Sequence, residues 1–205
     1  LLDKIAGFYS WNLRQEDGKV CIDYLKNREI SGDLAKRYQL GWIGGTWDNL
    51  IKSFVGKALI VKASRKNSKN NKNTEIIITQ DMLIQAGLLI KNEQNKVYDR
   101  FRARLMFPIR DRRGRVLGFG GRVVTGDGKP KYLNSPETAL FLKSQVLYGL
   151  YEVLQHKRDI NRVCVVEGYM DVIGLAQYGI DYSVATLGTS TSVDHIKQLI
   201  KVTDE

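Results

Sequence analysis

The sequence predicts an α/β protein in two parts: a basic α+β part in residues 1–143 and the beginning of a parallel sheet in residues 144–205. Two observations predict this organisation. From residue 163 onward the chain alternates strand, helix, strand and helix, the order typical of a parallel sheet. The charge divides at the same boundary, because 27 Lys and Arg stand against 14 Asp and Glu up to residue 143, and 5 against 8 beyond it.

Short helices dominate the first residues of the chain. Apolar residues at helical spacing predict helices over residues 1–13 and 20–28. Hydroxyl residues then mark two further helix starts. Ser31 begins a short third helix, and Thr46 is a plausible cap for a fourth helix over residues 50–55.

The middle of the chain predicts a loop followed by a hairpin. The Lys- and Asn-rich stretch 62–74 predicts a solvated, mobile loop rather than a nucleic-acid contact. Residues 111–114 supply turn chemistry between two apolar strands. Pro108 places the first of these strands at a sheet edge or marks a bulge. The elements predicted here are a helix over 81–86, a strand over 88–90, and hairpin strands over 104–109 and 115–124.

The second part carries an acidic pair at a strand end. Its predicted elements are helix 144–155, a strand from 163, helix 170–178, strand 182–186 and helix 193–202. Glu167 ends the apolar first strand, and Asp171 follows on the first turn of the next helix. Carboxylates at the carboxyl end of a buried parallel strand indicate a divalent cation that handles phosphates. The alternative is an acidic residue that the helix dipole favours.

Composition narrows the class of protein. The hydrophobic content of 43% is ordinary, no apolar run reaches the length of a membrane span, and no signal peptide opens the chain. Cys21 and Cys164 are far apart and predict reduced thiols in or near the core. Together with His156 and His195 they make no zinc-type ligand cluster. We therefore expect a cytoplasmic protein with no membrane partner.

The net charge of +10 points to a polyanion as partner. Arg100, Arg102 and Arg104 alternate with apolar residues, so an extended strand would carry three guanidinium groups on one face. Such a face suits a phosphate backbone, and the alternative is a solvated edge strand. Three tryptophans in the basic part can stack on unpaired bases, although most tryptophans are core residues: Trp11, Trp42 and Trp47.

Three polar segments remain as candidates for ligand contact. The glycines of 118–121 let a backbone approach a ligand or form a bulge, and they do not form a nucleotide-binding glycine motif. Residues 129–137 are dense in polar groups and predict a functional loop. The hydroxyls and amides of 187–192 suit a phosphate, and the alternative is simple helix capping by Ser192.

Four segments together resemble the RNA polymerase core of bacterial replicative primases of the DnaG type. They are DRFRARLMFPIRDRRGRVLGFGGRV, PKYLNSPET, LYGLYE and VVEGYMDVIGLAQYGI. The resemblance covers nearly the whole chain, and from Val163 onward it is to the start of a Toprim domain. It implies synthesis of short RNA primers from ribonucleoside triphosphates on a single-stranded DNA template with Mg²⁺ or Mn²⁺. It also implies a zinc-binding module and a helicase-binding module outside these residues.

The resemblance also assigns roles to single residues. Glu167 and Asp171 match the family's catalytic and metal-binding acids. Basic residues needed for activity match Arg28, Arg122, Lys131 and Lys143, and Lys131 is also assigned to the nucleotide. The template groove of the family matches Trp47, Arg100, Arg102 and Asn134, together with Arg28 and Arg122. Thr189 falls close to the incoming nucleotide.

The family's metal site needs an Asp-x-Asp after the next strand and a further aspartate later. The sequence begins at Leu1 rather than Met and ends at Glu205 before these acids. We therefore expect a fragment that makes no primer alone and leaves a parallel strand edge unpaired. Two alternatives stay open: a non-catalytic single-stranded-DNA-binding module, and another Toprim enzyme such as a nuclease or topoisomerase.

Overall fold

A computed structural model describes residues 1–61, 74–126, 128–156, 160–188 and 190–203. The helices in these ranges are α1 (Leu2–Asn12), α2 (Lys19–Asn27), α3 (Gly32–Arg37), α4 (Asn49–Phe54), α5 (Gln80–Gln85), α6 (Leu150–His156), α7 (Tyr169–Gln177) and α8 (Val193–Leu199). The strands are β1 (Gly41–Ile43), β2 (Ala58–Val61), β3 (Thr74–Ile77), β4 (Leu89–Lys91), β5 (Val97–Asp99), β6 (Arg104–Arg110), β7 (Val116–Val123), β8 (Tyr132–Asn134), β9 (Cys164–Val166) and β10 (Ser183–Ala185). The predicted loop 62–74 lies outside the described residues except for Thr74, which begins β3.

An antiparallel sheet in the order β1-β6-β7-β8 forms the centre of the basic part. The predicted hairpin is confirmed as β6 and β7, and its turn is closed by the Asp111 side chain, which accepts the Arg113 amide at 2.9 Å. The predicted edge position of this strand is wrong, because β6 lies between β1 and β7; Pro108 itself lies beyond the last β1 pair, at Met106. The register shift comes just after it, between Ile109 and Arg110. Residues 132–134, predicted as loop, form the edge strand β8.

Side-chain capping fixes several helix starts. The Ser31 hydroxyl accepts the Leu34 amide at 3.3 Å, as predicted. The predicted Thr46 cap is wrong, because α4 begins at Asn49 with Asp48 as its N-cap residue. The α4 amides are instead satisfied from a distant strand: Asp99 at the end of β5 accepts the Leu50 amide at 3.0 Å.

The second part contains two parallel strands, β9 and β10, in the register Cys164–Ser183 to Val166–Ala185. The predicted helix over 144–155 begins only at Leu150. Gly149 explains the late start, because its φ of +86° lies in the left-handed region and its Cβ would come within 2.9 Å of Val172. A 3₁₀ turn (Lys143–Gln145) precedes it.

The prediction that β9 is a buried strand is wrong. Cys164 is exposed, and Val165 keeps 39% of its surface exposed. In the described part of the chain β9 pairs with β10 alone. Cys21 is buried as predicted, and burial raises the pKa of its thiol.

The two parts share a core. One cluster packs Leu25 of α2 and Leu105 of β6 against Val172 of α7 and Ala185 of β10. Trp42 is buried in this cluster, whereas Trp11 and Trp47 are 53% and 56% exposed. The described helices include none that is long and apolar enough to cross a membrane.

Candidate active site

An open cleft lies at the carboxyl ends of β9 and β10. It has a volume of about 470 Å³, and Glu167 lies in its wall with Thr186, Gly188, Ser190 and Thr191. Glu167 is exposed and follows β9 directly. This is the edge where open α/β sheets place their ligands.

Asp171 lies on the first turn of α7, as predicted. Its Oδ2 accepts the Gly168 amide at 3.0 Å, and the residue is exposed to solvent. Glu167 and Asp171 therefore flank one turn at the strand–helix junction. We call these two residues the acidic edge.

The donors at the acidic edge fit a hard divalent cation. Mg²⁺ in proteins is commonly held by one or two carboxylates together with water and substrate phosphates. No group of three or more His, Cys, Asp or Glu residues that could hold a metal occurs within the described ranges. The described residues thus bring two carboxylates to this strand–helix junction.

Basic and aromatic residues form a second cluster beside Asp171. Arg122 of β7 lies between two rings, with its guanidinium carbon 5.0 Å from the Tyr24 centroid and 4.9 Å from the Tyr132 centroid. Arg28, at the end of α2, lies 5.6 Å from the Tyr24 centroid. Burial raises the pKa of the Tyr132 hydroxyl, Arg122 lowers it, and the charge of Asp171 raises it. We call Tyr24, Arg28, Arg122 and Tyr132 the tyrosine–arginine cluster.

The two predicted lysines lie on either side of these groups. Lys131 is exposed just before β8, and its carbonyl accepts the Val123 amide at 3.0 Å. Lys143 is half-buried, and its carbonyl lies 2.9 Å from His195 Nε2 at the start of α8. The structure therefore attaches Lys143 to the helix that follows the cleft, while Lys131 adjoins the tyrosine–arginine cluster.

Trp47 and Arg102 form an exposed stacking surface. The Arg102 guanidinium carbon lies 3.8 Å from the Trp47 ring centroid, and Tyr98 meets the same indole edge-on at 5.2 Å between centroids. A flat ring backed by a guanidinium can stack on an unpaired base. We call Trp47, Tyr98 and Arg102 the aromatic platform.

Asp99 supports the aromatic platform from below. Its amide donates to the Trp47 carbonyl at 2.8 Å, its own carbonyl accepts from Arg102, and its carboxylate caps α4. Asp99 is fully buried, and this burial raises the pKa of its carboxyl to about 6. One residue thus fixes both members of the stacked pair.

The prediction of three guanidiniums on one strand face is wrong. Strand β5 ends at Asp99, and Ala103 has a φ of +47°, so the chain turns before β6 begins. Arg104 is 6% exposed and donates to the Pro130 carbonyl at 2.8 Å, which makes it a structural residue. Arg102 joins the aromatic platform, and Arg100 donates to the Asn134 carbonyl at 3.4 Å.

Asn134 lies where β8 meets the cleft. Its Nδ2 donates to the Leu187 carbonyl at 3.1 Å, and its Oδ1 accepts from the Tyr169 hydroxyl at 2.7 Å. The residue predicted for the template groove is thereby attached to both loops of the parallel sheet.

Two interpretations of the loop after β10 were left open above: phosphate binding and helix capping. Ser192 caps α8, because its hydroxyl accepts the His195 amide at 3.0 Å, so the capping alternative is confirmed. Gly188 and Ser190 line the cleft, so phosphate binding by this loop stays a prediction. Thr189 lies outside the described residues.

Sequence reasoning missed the residues that hold the predicted ones. Tyr24 and Tyr132 enclose Arg122, Asp99 fixes Trp47, and Tyr169 binds Asn134. Each of these partners lies far along the chain from the residue that it holds, or belongs to an ordinary helix or strand pattern, so no local motif identifies it. The one local signal was Asp99 itself, an acid at the end of an apolar strand beside several arginines.

Comparisons with known families give matches over both parts of the chain. The family model described as "DNA primase catalytic core, N-terminal domain" matches residues 8–76 and 60–154, and the Toprim domain model matches residues 161–205. The DNA primase of Legionella pneumophila is 50% identical over 203 residues, which are 99% of this chain and 31% of that protein. The DNA primase of Escherichia coli K12 is 48% identical over 204 residues, 100% of this chain and 32% of that protein.

Solved structures show the same likeness. A DnaG primase catalytic domain bound to single-stranded DNA matches with a TM-score of 0.84 and 46% identity, over 100% of this chain and 59% of that one. The RNA polymerase domain of Mycobacterium tuberculosis primase matches with a TM-score of 0.79 and 29% identity, over 100% of this chain and 60% of that one. The chain therefore spans about a third of the length of the curated relatives it matches.

Proposed function

This chain belongs to the family of DNA primase catalytic cores, and from this membership we propose that it forms the template- and nucleotide-binding part of a DNA-directed RNA polymerase. The whole protein would synthesise short RNA primers on single-stranded DNA during replication. The observation that carries the proposal is that Asn134 of β8 has contacts in both regions. Its carbonyl accepts from Arg100, which is close in sequence to the aromatic platform, and its side chain donates to Leu187, next to the cleft that Glu167 lines.

The template strand would run along the basic part. The aromatic platform offers a base-stacking surface that tolerates any base. Arg100 and Arg102 are half-buried, so each is oriented by the protein and still reaches solvent. The tyrosine–arginine cluster adds the exposed Arg28 to this positive surface, while Arg122, which is 6% exposed, lies between the Tyr24 and Tyr132 rings.

The nucleotide would bind at the cleft beside the acidic edge. Lys131, Lys143 and the loop after β10, with Thr189, would orient its phosphates, while Arg122 stabilises charge that develops on them. Glu167 and Asp171 would hold Mg²⁺ or Mn²⁺. When bound, such a cation neutralises the triphosphate and promotes attack by a 3′-hydroxyl on the α-phosphate.

The partners of the whole protein follow from the same proposal. They are a single-stranded DNA template, ribonucleoside triphosphates and, through another module of the full-length protein, a replicative helicase. A zinc-binding module would likewise belong to the full-length protein. Its place of action would be the bacterial cytoplasm at the replication fork.

The test is template-directed RNA synthesis by the full-length protein on a defined single-stranded DNA. We expect primers only when Mg²⁺ or Mn²⁺ is present, and we expect Glu167→Gln to abolish them because a carboxylate of the acidic edge is lost. Asp194→Asn changes an acid of α8 whose side chain is 48% exposed; it is the matched control and should leave synthesis intact. Primer synthesis that persists in Glu167→Gln would refute the assignment of the acidic edge.

A second function keeps some support, because the aromatic platform is complete without the acidic edge. In that case the chain acts as a single-stranded-DNA-binding module. Tight binding of DNA without template-directed synthesis by the full-length protein would favour it. The match of residues 8–154 to the primase model argues against the Toprim nuclease or topoisomerase alternative.

A further inference from the structure

The side chain of Asn134 is fixed at both ends of its amide. Its Oδ1 accepts the Tyr169 hydroxyl at 2.7 Å, and its Nδ2 donates to the Leu187 carbonyl at 3.1 Å. The two bonds use one acceptor and one donor, so they select a single orientation of the amide. Its backbone carbonyl also accepts from Arg100 Nε at 3.4 Å.

The ring of Tyr169 has one available position. It stacks on Phe107 at 4.9 Å and meets Tyr148 edge-on at 4.7 Å between centroids. A Cβ at Gly120 would come within 2.4 Å of the ring, so the glycine is required for this close approach. The packing therefore delivers the hydroxyl to Asn134 at the surface of the core.

The two bonds reach the segments that follow β9 and β10, each next to a residue that lines the cleft. Tyr169 follows Glu167 by two residues, and Leu187 directly precedes Gly188, which lines the cleft beside Glu167. The Asn134 amide thus fixes the distance between the loop after β9 and the loop after β10. Through Arg100 the same residue is attached to the side that carries the aromatic platform.

We infer that Tyr169, Asn134 and the Leu187 carbonyl form a positioning bridge that sets the width of the cleft for the nucleotide phosphates. Asn134 and Tyr169 are positioning residues, because they act through Leu187–Gly188 and the turn that carries Glu167. This inference rests on the proposed function for the identity of the ligand, and on the hydrogen bonds alone for the existence of the bridge.

A contribution to folding alone explains the bridge less well. The Tyr148 hydroxyl lies in the same aromatic cluster, is buried, and has no hydrogen-bond partner among the described residues. This fold therefore tolerates a buried tyrosine hydroxyl without a bond. The Tyr169 hydroxyl has one, and its acceptor Asn134 also binds the Leu187 carbonyl, directly before Gly188 in the cleft lining.

The test compares Tyr169→Phe with Tyr148→Phe in the full-length protein. Both variants remove one buried hydroxyl and keep the ring, so a general effect of that loss appears equally in both. We expect faster amide hydrogen exchange over residues 183–188 in Tyr169→Phe alone. We also expect its kcat/KM for ribonucleoside triphosphates to fall about 2- to 13-fold, the range of one hydrogen bond, through KM and with an unchanged Kd for single-stranded DNA.

Two results would overturn the bridge. One is hydrogen exchange over 183–188 that is equal in the two variants. The other is a nucleotide KM for Tyr169→Phe equal to that of the wild type, measured well below the melting temperature. If the wild-type protein makes no primer at all, the proposed function fails, while the hydrogen-exchange comparison still decides whether the bridge exists.

Discussion

Several arginines of the N-terminal part are held by groups from other elements, whereas the two carboxylates of the acidic edge lie on a single turn. Arg122 is enclosed by rings from α2 and β8, and Arg102 by rings from residues 47 and 98. Asp171 needs only the Gly168 amide, three residues away. The comparison teaches that the template surface depends on the whole fold, while the acidic edge needs one local turn and a bridge to hold it in place.

A buried ion pair joins the two parts of the chain, and breaking this joint should have the largest effect on stability. Arg110 of β6 and Glu152 of α6 form an ion pair at 2.7 Å with side chains 9% and 4% exposed. Glu152→Leu leaves Arg110 buried without its partner and should lower the free energy of unfolding by about 3–5 kcal/mol. Urea denaturation measures this value.

The matched control for the joint is the exposed pair Lys19–Glu16, whose side chains are 65% and 83% exposed. Glu16→Leu should change the free energy of unfolding by less than about 1 kcal/mol. Equal effects at the two pairs would show that the buried joint does not hold the parts together. The double variant Arg110→Met with Glu152→Leu should recover much of the loss, because no buried charge remains unpaired.

Asp99 tests the support of the aromatic platform through pH. Burial raises the pKa of its carboxyl from its usual 3.8 to about 6, so the folded protein holds this proton more tightly than the unfolded chain. Its contribution to stability is present below about pH 4 and is lost as the pH rises through 6, by about 3 kcal/mol in total. Asp99→Asn should remove this slope from unfolding measured between pH 4 and 7.

Asp99→Asn also tests, through DNA binding, how the aromatic platform is held. At pH 7 Asp99→Asn removes a buried negative charge but keeps the backbone bonds to Trp47 and Arg102, so the affinity for single-stranded DNA should not fall. An unchanged slope of stability against pH would show that Asp99 does not titrate in this range. A lower DNA affinity in Asp99→Asn would show that the aromatic platform depends on the carboxylate and not only on the backbone bonds.

The aromatic platform itself gives a smaller effect. Trp47→Ala should weaken single-stranded DNA binding by about 1–3 kcal/mol, roughly 5- to 150-fold, because one stacking ring is lost. Trp11→Ala is the matched control, since Trp11 is similarly exposed but lies outside the platform.

Arg102→Gln should also reduce the salt dependence of binding by about one phosphate contact. Arg104→Gln should leave this salt dependence unchanged, because its guanidinium is bound to backbone carbonyls.

Local features of the fold were predictable from the sequence. The Ser31 cap, the hairpin with its Asp111 turn, and the start of α7 each depend on residues a few positions apart. The acidic edge belongs to the same class, since Glu167 and Asp171 occupy one strand–helix junction. Periodicity and capping rules describe such short-range contacts well.

The remaining features depend on contacts that no local pattern contains. The turn at Ala103 separates Arg102 from Arg104, and the burial of Arg104 follows from carbonyls near residue 130. The exposure of β9 reflects which strands neighbour it, not its apolar composition. Likewise, α6 begins at Leu150 because Gly149 lies against Val172, a contact between different elements.

The central claim is that the basic part binds template while the acidic edge performs the chemistry, and one paired measurement tests it most directly. The Kd for single-stranded DNA and the rate of primer synthesis at saturating template are measured for Trp47→Ala and Glu167→Gln in the full-length protein. We predict that Trp47→Ala raises the Kd and retains synthesis at saturation, and that Glu167→Gln retains the Kd and loses synthesis. A loss of both properties in both variants would contradict the claim, because the two regions would then act as one.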